Sequence, residues 1–411
     1  MTPATEESAL SNKDRNYRFG TRLVQMGRSQ TDAQSFVNPP LERGSSVLFP
    51  SVAARDAVRE RPFDQVLTYG LKGGATHFHL EDAIAEIEGG SRCQLVSTGL
   101  SAVTTALFAF VRGGGHCLIP DSVYGPTRTF MATIGSECGM SATYYPPAID
   151  EAGLRGLVQD NTTVIYAESP GSHTMEVQDV PMLARVAGSV NAKLLMDNTW
   201  GLSFFRPFDH GVDCSIQAGT KYIGGHSDLL LGAITTSSDD DWQRLRSTAV
   251  TLGQYASPDD CWLALRGLRT LRVRMAEHMR AGIEVAQFLR GRPEVAEVLH
   301  PALPGAPGHA LWKRDFTGAC SLFSVSLAPD YDQADMVAFI DALQLFGIGA
   351  SWGGFESLVL PTTGAITRNH AREHPAGPTF RLHVGLEDTG DLIADLTAGL
   401  GVLNNHRARR A

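Results

Sequence analysis

Two short apolar runs, residues 194–196 (LLM) and residues 214–216 (CSI), constrain this chain more than any other feature. Each run is too short for a helix and gives way at once to polar residues, so we interpret both as buried strands. The first is followed by Asp197, and the second by the turn at 217–220 (QAGT) and then by Lys221. In an open α/β sheet, side chains at the carboxyl ends of the strands face a ligand crevice. The pattern therefore predicts that Asp197 and Lys221 converge in one crevice.

An acid and an amine in one crevice, with a hydroxyl residue and glycines beside the amine, suit pyridoxal phosphate (PLP). Lys221 would form a Schiff base with the cofactor aldehyde, Asp197 would keep the pyridine nitrogen protonated, and Thr220 would meet the phosphate. Taken singly, a Lys after a strand is most often solvated, and a strand-end Asp is often a helix cap or an ion-pair partner. Spacing alone leaves both interpretations open.

Composition excludes several classes of partner. The net charge of −9 provides no basic field for nucleic acid or for an anionic membrane. No apolar run approaches the length of a membrane span, and the polar N-terminus lacks the apolar core of a secretory signal. The six cysteines contain no C-x-x-C pair, which is typical of reduced thiols in the core of a cytoplasmic protein.

The order of the patterns predicts an α/β fold in three parts. Residues 1–65 carry several prolines and predict an extended N-terminal arm with one short helix near 53–60, which would lie on another surface such as a second subunit. Residues 66–261 alternate strands and helices, so we expect a mainly parallel sheet covered on both faces in a PLP-binding large domain. Residues 262–411 begin with one long Arg-rich helix, whose arginines we expect to be solvated or to face a subunit, and continue as a smaller C-terminal α/β domain.

Other positions are candidates for ligand binding. The strand-to-helix junction at Gly99 offers free amides and a helix dipole to an anion, although every α/β fold has such junctions. Tyr124 follows a strand end and either stacks on a flat cofactor or packs at a loop base. Arg381 lies in an apolar strand and needs a carboxylate partner, either a structural Asp or Glu or a substrate. His77 and His79 do not share a helical face, so we predict no metal site there.

Several longer segments are distinctive: YGLKGGATHFHLEDAIAEIEGG, ESPGSHTMEVQDVP, MDNTW, SIQAGTKYIGGHSD, HPALPGAPGHALWKRDFTG, SWGGFESL and RLHVGLED. They resemble the Cys/Met-metabolism (γ-subfamily) PLP enzymes of fold type I, and within them the bacterial cystathionine β-lyases. The resemblance runs from about residue 19 to residue 403. It implies a large domain with a mainly parallel seven-stranded sheet between helices, the smaller C-terminal domain and the N-terminal arm.

The resemblance also implies roles at matching positions. Lys221 is then the Schiff-base lysine, Asp197 the partner of the pyridinium nitrogen, and Tyr124 the residue that stacks on the ring. The groups implied to hold the phosphate are the amides of Gly99 and Leu100, the hydroxyl of Thr220 and, from the neighbouring subunit, Tyr69. Arg381, with Ser351 and Trp352, is implied to bind the α-carboxylate of the substrate.

The implied activity is α,β-elimination of L-cystathionine to homocysteine, pyruvate and ammonia, a step of transsulfuration in methionine biosynthesis. Family members of this kind are usually homotetramers, built from dimers that share active sites. Two alternatives within PLP chemistry are a carbon–sulfur lyase for another thioether amino acid and an enzyme of γ-elimination or γ-replacement. A third alternative is a PLP-binding protein without catalytic activity.

Three positions differ from the family pattern. Leu71 stands where the family usually has a phosphate-binding Arg, and the adjacent Lys72 does not reproduce a forked donor. Ala350 stands where β-lyases often have Tyr before the Ser-Trp-Gly-Gly motif, and Val250 where they often have an active-site Tyr. We expect Ala350 and Val250 to enlarge or depolarise the substrate side of the pocket.

Overall fold

The computed structural model describes residues 17–28, 36–370 and 377–410. In the N-terminal arm, helix α2 (Val52–Arg59) matches the helix predicted near 53–60, whereas helix α1 (Phe19–Gln25) was not predicted. Leu23 and Met26 are buried in the core of this same chain, and Arg269 donates to the carbonyl oxygens of Val24 and Met26. This part of the arm therefore packs on its own chain rather than on another surface.

The larger sheet has seven strands in the order β1-β7-β6-β5-β4-β2-β3, and β7 alone runs antiparallel to its neighbours. This confirms the predicted mainly parallel sheet. The strands are β1 (Arg92–Val96), β2 (His116–Pro120), β3 (Ser141–Tyr145), β4 (Thr162–Glu168), β5 (Lys193–Asp197), β6 (Cys214–Ala218) and β7 (Gly232–Thr236).

Helices cover both faces of this sheet because alternate residues of each buried strand point to opposite sides. On β5, Leu194 and Met196 enter one core while Leu195 enters the other. The helices of this part are α3 (Ala75–Glu88), α4 (Gly99–Phe110), α5 (Gly125–Phe130), α6 (Glu151–Gly156), α7 (Val180–Ser189), α8 (Asp239–Thr251) and α9 (Pro258–Leu268). Helices α3 and α7 pack in the core of Leu194, and α4 packs in the core of Leu195.

A second sheet of five strands follows, in the order β10-β11-β12-β9-β8. Its strands are β8 (Val295–Leu299), β9 (Leu322–Leu327), β10 (Gly347–Ile348), β11 (Leu358–Pro361) and β12 (Thr379–His383). The helices of this region are α10 (Leu271–Arg290), α11 (His309–Asp315), α12 (Gln333–Ala342) and α13 (Thr389–Arg410). None of the helices within the described ranges is long and apolar enough to cross a membrane.

The predicted single long helix from residue 262 is wrong, because α9 ends at Leu268 and α10 begins at Leu271. At this break the end of α9 comes close to the chain just after Lys221, since a side chain at Gly267 would collide with the carbonyl oxygens of Ile223 and Gly224. Arg274 is buried rather than solvated and donates to the carbonyl oxygens of Tyr222 (2.9 Å) and Gly267 (2.8 Å). The break thus packs against the turn that carries Lys221.

Glu88 at the end of α3 ties together the ends of β5 and β6. Its fully buried carboxylate accepts hydrogen bonds from Ser215, from Gln217 Nε2 (2.8 Å) and from Asn198 Nδ2 (3.3 Å). Burial raises the pKa of Glu88 to about 7, although these hydrogen bonds oppose the shift. Because Asn198 follows Asp197 directly, this cluster lies just behind the crevice.

We predict that Glu88→Gln changes how stability depends on pH. A carboxyl group with a raised pKa stabilises the fold fully below its ordinary pKa of 4.5, and this contribution is lost as pH rises through about 7. The free energy of unfolding of the parent should therefore fall relative to Glu88→Gln, by up to about 1.4 kcal/mol per pH unit in this window. Urea unfolding between pH 5 and pH 8 measures it. Glu137→Gln, at an exposed position, is the control, and parallel curves for the parent and Glu88→Gln would contradict the prediction.

Candidate active site

A cavity of about 400 Å³ lies at the carboxyl ends of β4, β5 and β6 and extends to the second sheet. Its walls bring together most of the site residues predicted from the sequence. Those that line it are Gly99, Leu100, Tyr124, Asp197, Thr220, Lys221, Trp352 and Arg381. Ser351 adjoins them, because its Oγ accepts a hydrogen bond of 2.7 Å from Lys221 Nζ.

Lys221 presents a free amine in this cavity. Burial, and then the charge of Arg381, lower the pKa of Lys221 to about 8, while Asp197 opposes the shift. Its Nζ lies 5.5 Å from the centre of the Trp352 ring, and none of the described carboxylates is within ion-pair distance of it. The amine is therefore available for covalent chemistry at a pH not far from neutral.

Asp197 ends β5 and is oriented by its own turn. Its Oδ1 accepts hydrogen bonds from the N–H (3.0 Å) and the hydroxyl (2.6 Å) of Thr199. Burial raises the pKa of Asp197, and the hydrogen bonds from Thr199 and the charge of Lys221 oppose the shift. Within the described chain, Oδ2 receives no hydrogen bond, so it can accept one from a ligand N–H.

The first turn of α4 forms one wall. Thr98 caps this helix and takes up the N–H groups of Ser101 and Ala102 with its hydroxyl and carbonyl oxygens. The N–H groups of Gly99 and Leu100, which also belong to the first turn, remain for an anion. Thr220 is less free, because its hydroxyl accepts from the N–H of Leu231 (3.0 Å) and lies 3.3 Å from the Leu231 carbonyl oxygen.

Arg381 has no acidic partner among the described residues. Its Nη2 donates to the carbonyl oxygens of Ala350 (2.8 Å) and Ser351 (3.2 Å), and burial lowers the pKa of Arg381 to about 10. The sequence left open whether a structural or a substrate carboxylate pairs with this guanidinium. Of the two, the geometry favours a carboxylate that arrives with a ligand.

Glu168 is a cavity residue that the sequence analysis missed. Its carboxylate accepts hydrogen bonds from the Tyr124 N–H (2.6 Å) and the Ser172 hydroxyl (2.6 Å) and lies in register with Asp197. Burial and then Asp197 raise the pKa of Glu168 to about 8. Its place directly after the mostly apolar run at residues 163–167 (TVIYA) was a usable signal. The other missed lining residues have no comparable signal, and include Thr199, His173, Met175 and Leu230.

Two predicted pocket residues lie elsewhere. Tyr69 follows the arm, has a side chain 55% exposed, and does not line the cavity of its own chain. Val250 lies in α8 and does not line the cavity of its own chain, whereas Ala350 does. Lys72 is also outside, with Nζ 3.4 Å from the Pro62 carbonyl oxygen.

The donor set fits PLP. An amine for the aldehyde, an unpaired carboxylate oxygen for the pyridine N–H, a helix N-terminus for the phosphate and an aromatic ring all border one cavity. Among the described residues, no group of three His, Cys, Asp or Glu side chains is arranged to hold a metal ion.

Comparisons with known proteins agree with this fit. The chain is 40% identical to cystathionine beta-lyase MetC of Escherichia coli (strain K12), over 93% of this chain and 98% of that protein. It is 44% identical to a cystathionine beta-lyase of Bordetella avium, over 89% of this chain and 92% of that protein. The solved structure of a cystathionine gamma synthase from Xanthomonas oryzae pv. oryzae superposes with a TM-score of 0.86 at 29% identity, covering 94% of this chain and 98% of that one.

The sequence signature described as "Cys/Met metabolism PLP-dependent enzyme" matches residues 20–401. That match spans both sheets and every residue that lines the cavity. The chain therefore belongs to the Cys/Met metabolism PLP-dependent enzyme family, and its cofactor is pyridoxal phosphate.

Proposed function

We propose that this enzyme is a carbon–sulfur lyase that cleaves L-cystathionine by α,β-elimination to homocysteine, pyruvate and ammonia. One observation carries the proposal: a free lysine amine, a strand-end carboxylate and a guanidinium without a described acidic partner border the same cavity. The names of the relatives from Escherichia coli and Bordetella avium support the choice of substrate.

PLP, when bound, supplies a sink for the negative charge that develops at Cα of the substrate. In our proposal, Asp197 Oδ2 keeps the proton on the pyridine nitrogen, and Thr199 holds Oδ1 so that the carboxylate cannot turn away. Lys221 takes the proton from Cα. Its amine is a competent base because near pH 8 about half of it is neutral.

Arg381 selects the bond that breaks. Its guanidinium binds the α-carboxylate. Ser351 lies beside the guanidinium, because its carbonyl oxygen accepts from Arg381 and its hydroxyl accepts from Lys221. A fixed carboxylate places the Cα–H bond towards the lysine, so orientation directs the enzyme to proton loss followed by cleavage of the Cβ–S bond. Tyr124 lines the same cavity, and burial raises the pKa of its phenol, so the ring stays neutral for stacking.

The residues that line the cavity and the fold also bear on the alternative substrates and the alternative reaction. Ala350 leaves room on the substrate side where a Tyr would fill it, which fits a bulkier thioether as well as cystathionine. The fold likeness to a gamma synthase keeps chemistry at Cγ, by γ-replacement or γ-elimination, as the rival reaction.

We also propose a homotetramer built from dimers that share active sites, located in the cytoplasm. Tyr69 supports the sharing, because it is exposed and outside the cavity of its own chain. Apolar side chains that precede it in the sequence are also exposed, namely Phe36, Val37, Leu48, Val52 and Leu67. All six cysteines are free thiols and five are buried, which supports a reducing compartment.

Lys221→Ala should abolish keto acid formation, lowering kcat by at least about 10³-fold, because it removes both the covalent anchor and the base. The assay measures pyruvate and free thiol released from L-cystathionine. Lys313→Ala, at an exposed lysine, should leave the rate unchanged. Keto acid formation by Lys221→Ala at the parent rate would show that another group is the base.

The products from L-cystathionine separate β-elimination from γ-elimination. We expect pyruvate and homocysteine, and chromatographic identification of the keto acid provides the test. Release of 2-oxobutyrate and cysteine would overturn the proposed reaction. Parallel assays with cystine and djenkolic acid rank the thioether and disulfide substrates, and cofactor absorption without turnover on any of them would instead indicate a non-catalytic PLP-binding protein.

Shared active sites predict complementation between two inactive variants. Tyr69→Ala should lose most activity through weaker cofactor binding, and co-expression with Lys221→Ala should restore about a quarter of the parent activity, because half of the dimers are mixed and each has one intact site. Co-expression of Lys221→Ala with Asp197→Ala is the control and should restore none. Full activity of Tyr69→Ala alone, or no complementation, would contradict shared sites.

A further inference from the structure

A chain of buried polar side chains lies directly behind the candidate active site. Ser321 Oγ lies 3.2 Å from Nδ1 of His278 and 3.1 Å from Nδ1 of His383. The hydroxyl of Tyr222, the residue after Lys221, is 3.4 Å from the same Ser321 oxygen. All four side chains are buried, and none of them lines the cavity.

His383 connects this chain to the loop of residues 351–354. Its Nε2 lies 3.1 Å from the Gly353 nitrogen and 3.1 Å from the Gly354 carbonyl oxygen. One ring nitrogen cannot accept and donate at once, so one tautomer binds the Gly353 N–H and the other binds the Gly354 C=O. In either tautomer Nε2 holds the main chain of the loop while Nδ1 faces Ser321.

The same loop packs against Lys221, and the carbonyl oxygens at its start accept hydrogen bonds from Arg381. A Cβ at Gly353 would lie 3.0 Å from Lys221 Cα, and φ at Gly353 is +86°, so only glycine suits this approach. Ser351 Oγ accepts from Lys221 Nζ, and the carbonyl oxygens of Ala350 and Ser351 accept from Arg381. Arg381 and His383 are two residues apart on β12 and therefore point to the same face.

We propose that His383 is a positioning residue that holds the 351–354 loop against Lys221 and Arg381. Through this loop it determines how tightly the enzyme binds the α-carboxylate of its substrate. The inference rests on the proposed role of Arg381 in carboxylate binding, and it holds for any amino acid substrate whatever its leaving group.

His383 acts through hydrogen bonds and not through proton transfer. Burial, and then the nearby His278, lower the pKa of His383 to about 3, so the ring is neutral throughout the working range of an enzyme. Its separation from the cavity by the loop agrees with this role, since it cannot touch the substrate.

A matched pair of substitutions tests the proposal. The amide of Gln reaches the place of the imidazole Nε2, so His383→Gln keeps a partner for the loop and gives up Ser321. The amide of Asn reaches only the place of Nδ1, so His383→Asn keeps the contact with Ser321 and loses the hydrogen bond to the loop. A purely structural role would make the two variants equivalent in binding.

The readout is the dissociation constant of L-alanine for the holoenzyme, followed by cofactor absorption. L-Alanine has the α-amino and α-carboxylate groups but no leaving group, so the result does not depend on which thioether is cleaved. We expect binding to weaken about tenfold in His383→Asn, the loss of one buried anchor, and to stay within about threefold of the parent in His383→Gln. Equal weakening in both variants, or none in either, would overturn the proposal.

Turnover and folding complete the experiment. With cystathionine, His383→Asn should raise KM more than it lowers kcat, and absence of turnover in the parent would refute the proposed reaction without affecting the alanine result. If His383→Asn does not fold, His383→Leu tests the same anchor, because it fills the buried site without a polar atom for the loop. It should weaken L-alanine binding about tenfold, and unchanged binding would contradict the proposal.

Discussion

The site depends on a charge constraint: Lys221 and Arg381 are cations in one cavity, and the acids that the described chain places around them are Asp197 and Glu168. The pKa of Glu168 is raised to about 8, so this carboxyl group is mostly neutral at pH 7 and positive charge is in excess. Burial and mutual repulsion lower the pKa of Lys221, and Arg381 has carbonyl oxygens for partners instead of a carboxylate. Such an arrangement is costly without a ligand that brings negative charge. A cofactor phosphate and a substrate carboxylate are the anions that would neutralise this positive charge. Burial and the same excess of positive charge lower the pKa of Lys221 and so supply the neutral amine that acts as the base.

The surrounding structure keeps these charges in place. Glu88 joins the ends of β5 and β6 behind Asp197, and Arg274 holds the carbonyl oxygens next to the lysine turn. His383 supports the 351–354 loop from the other side. The polar groups behind the cavity thus hold the segments that carry Asp197, Lys221 and Arg381 through hydrogen bonds, which apolar side chains could not make.

Features that depend on a local pattern of residues could be predicted from the sequence. The runs at 194–196 and 214–216 predict strands, and because carboxyl ends of strands face one crevice they also predict that Asp197 and Lys221 lie together. The family resemblance added Ser351 and Trp352 and assigned Arg381 to the substrate carboxylate. Contacts between distant segments were not readable: the break between α9 and α10 arises where Gly267 meets the chain after Lys221, and α1 folds onto its own chain. Tyr69 and Val250 lie outside the cavity of their own chain, since a motif position says which residue matches but not which chain's cavity it borders.

The central claim is a covalent link between PLP and the amine of Lys221. Reduction of the holoenzyme with borohydride, followed by digestion and mass spectrometry of the peptides, tests it most directly. The account predicts a phosphopyridoxyl group on the peptide that contains Lys221 and on no other. An adduct at Lys72, Lys193 or Lys313, or none after saturation with the cofactor, would contradict it.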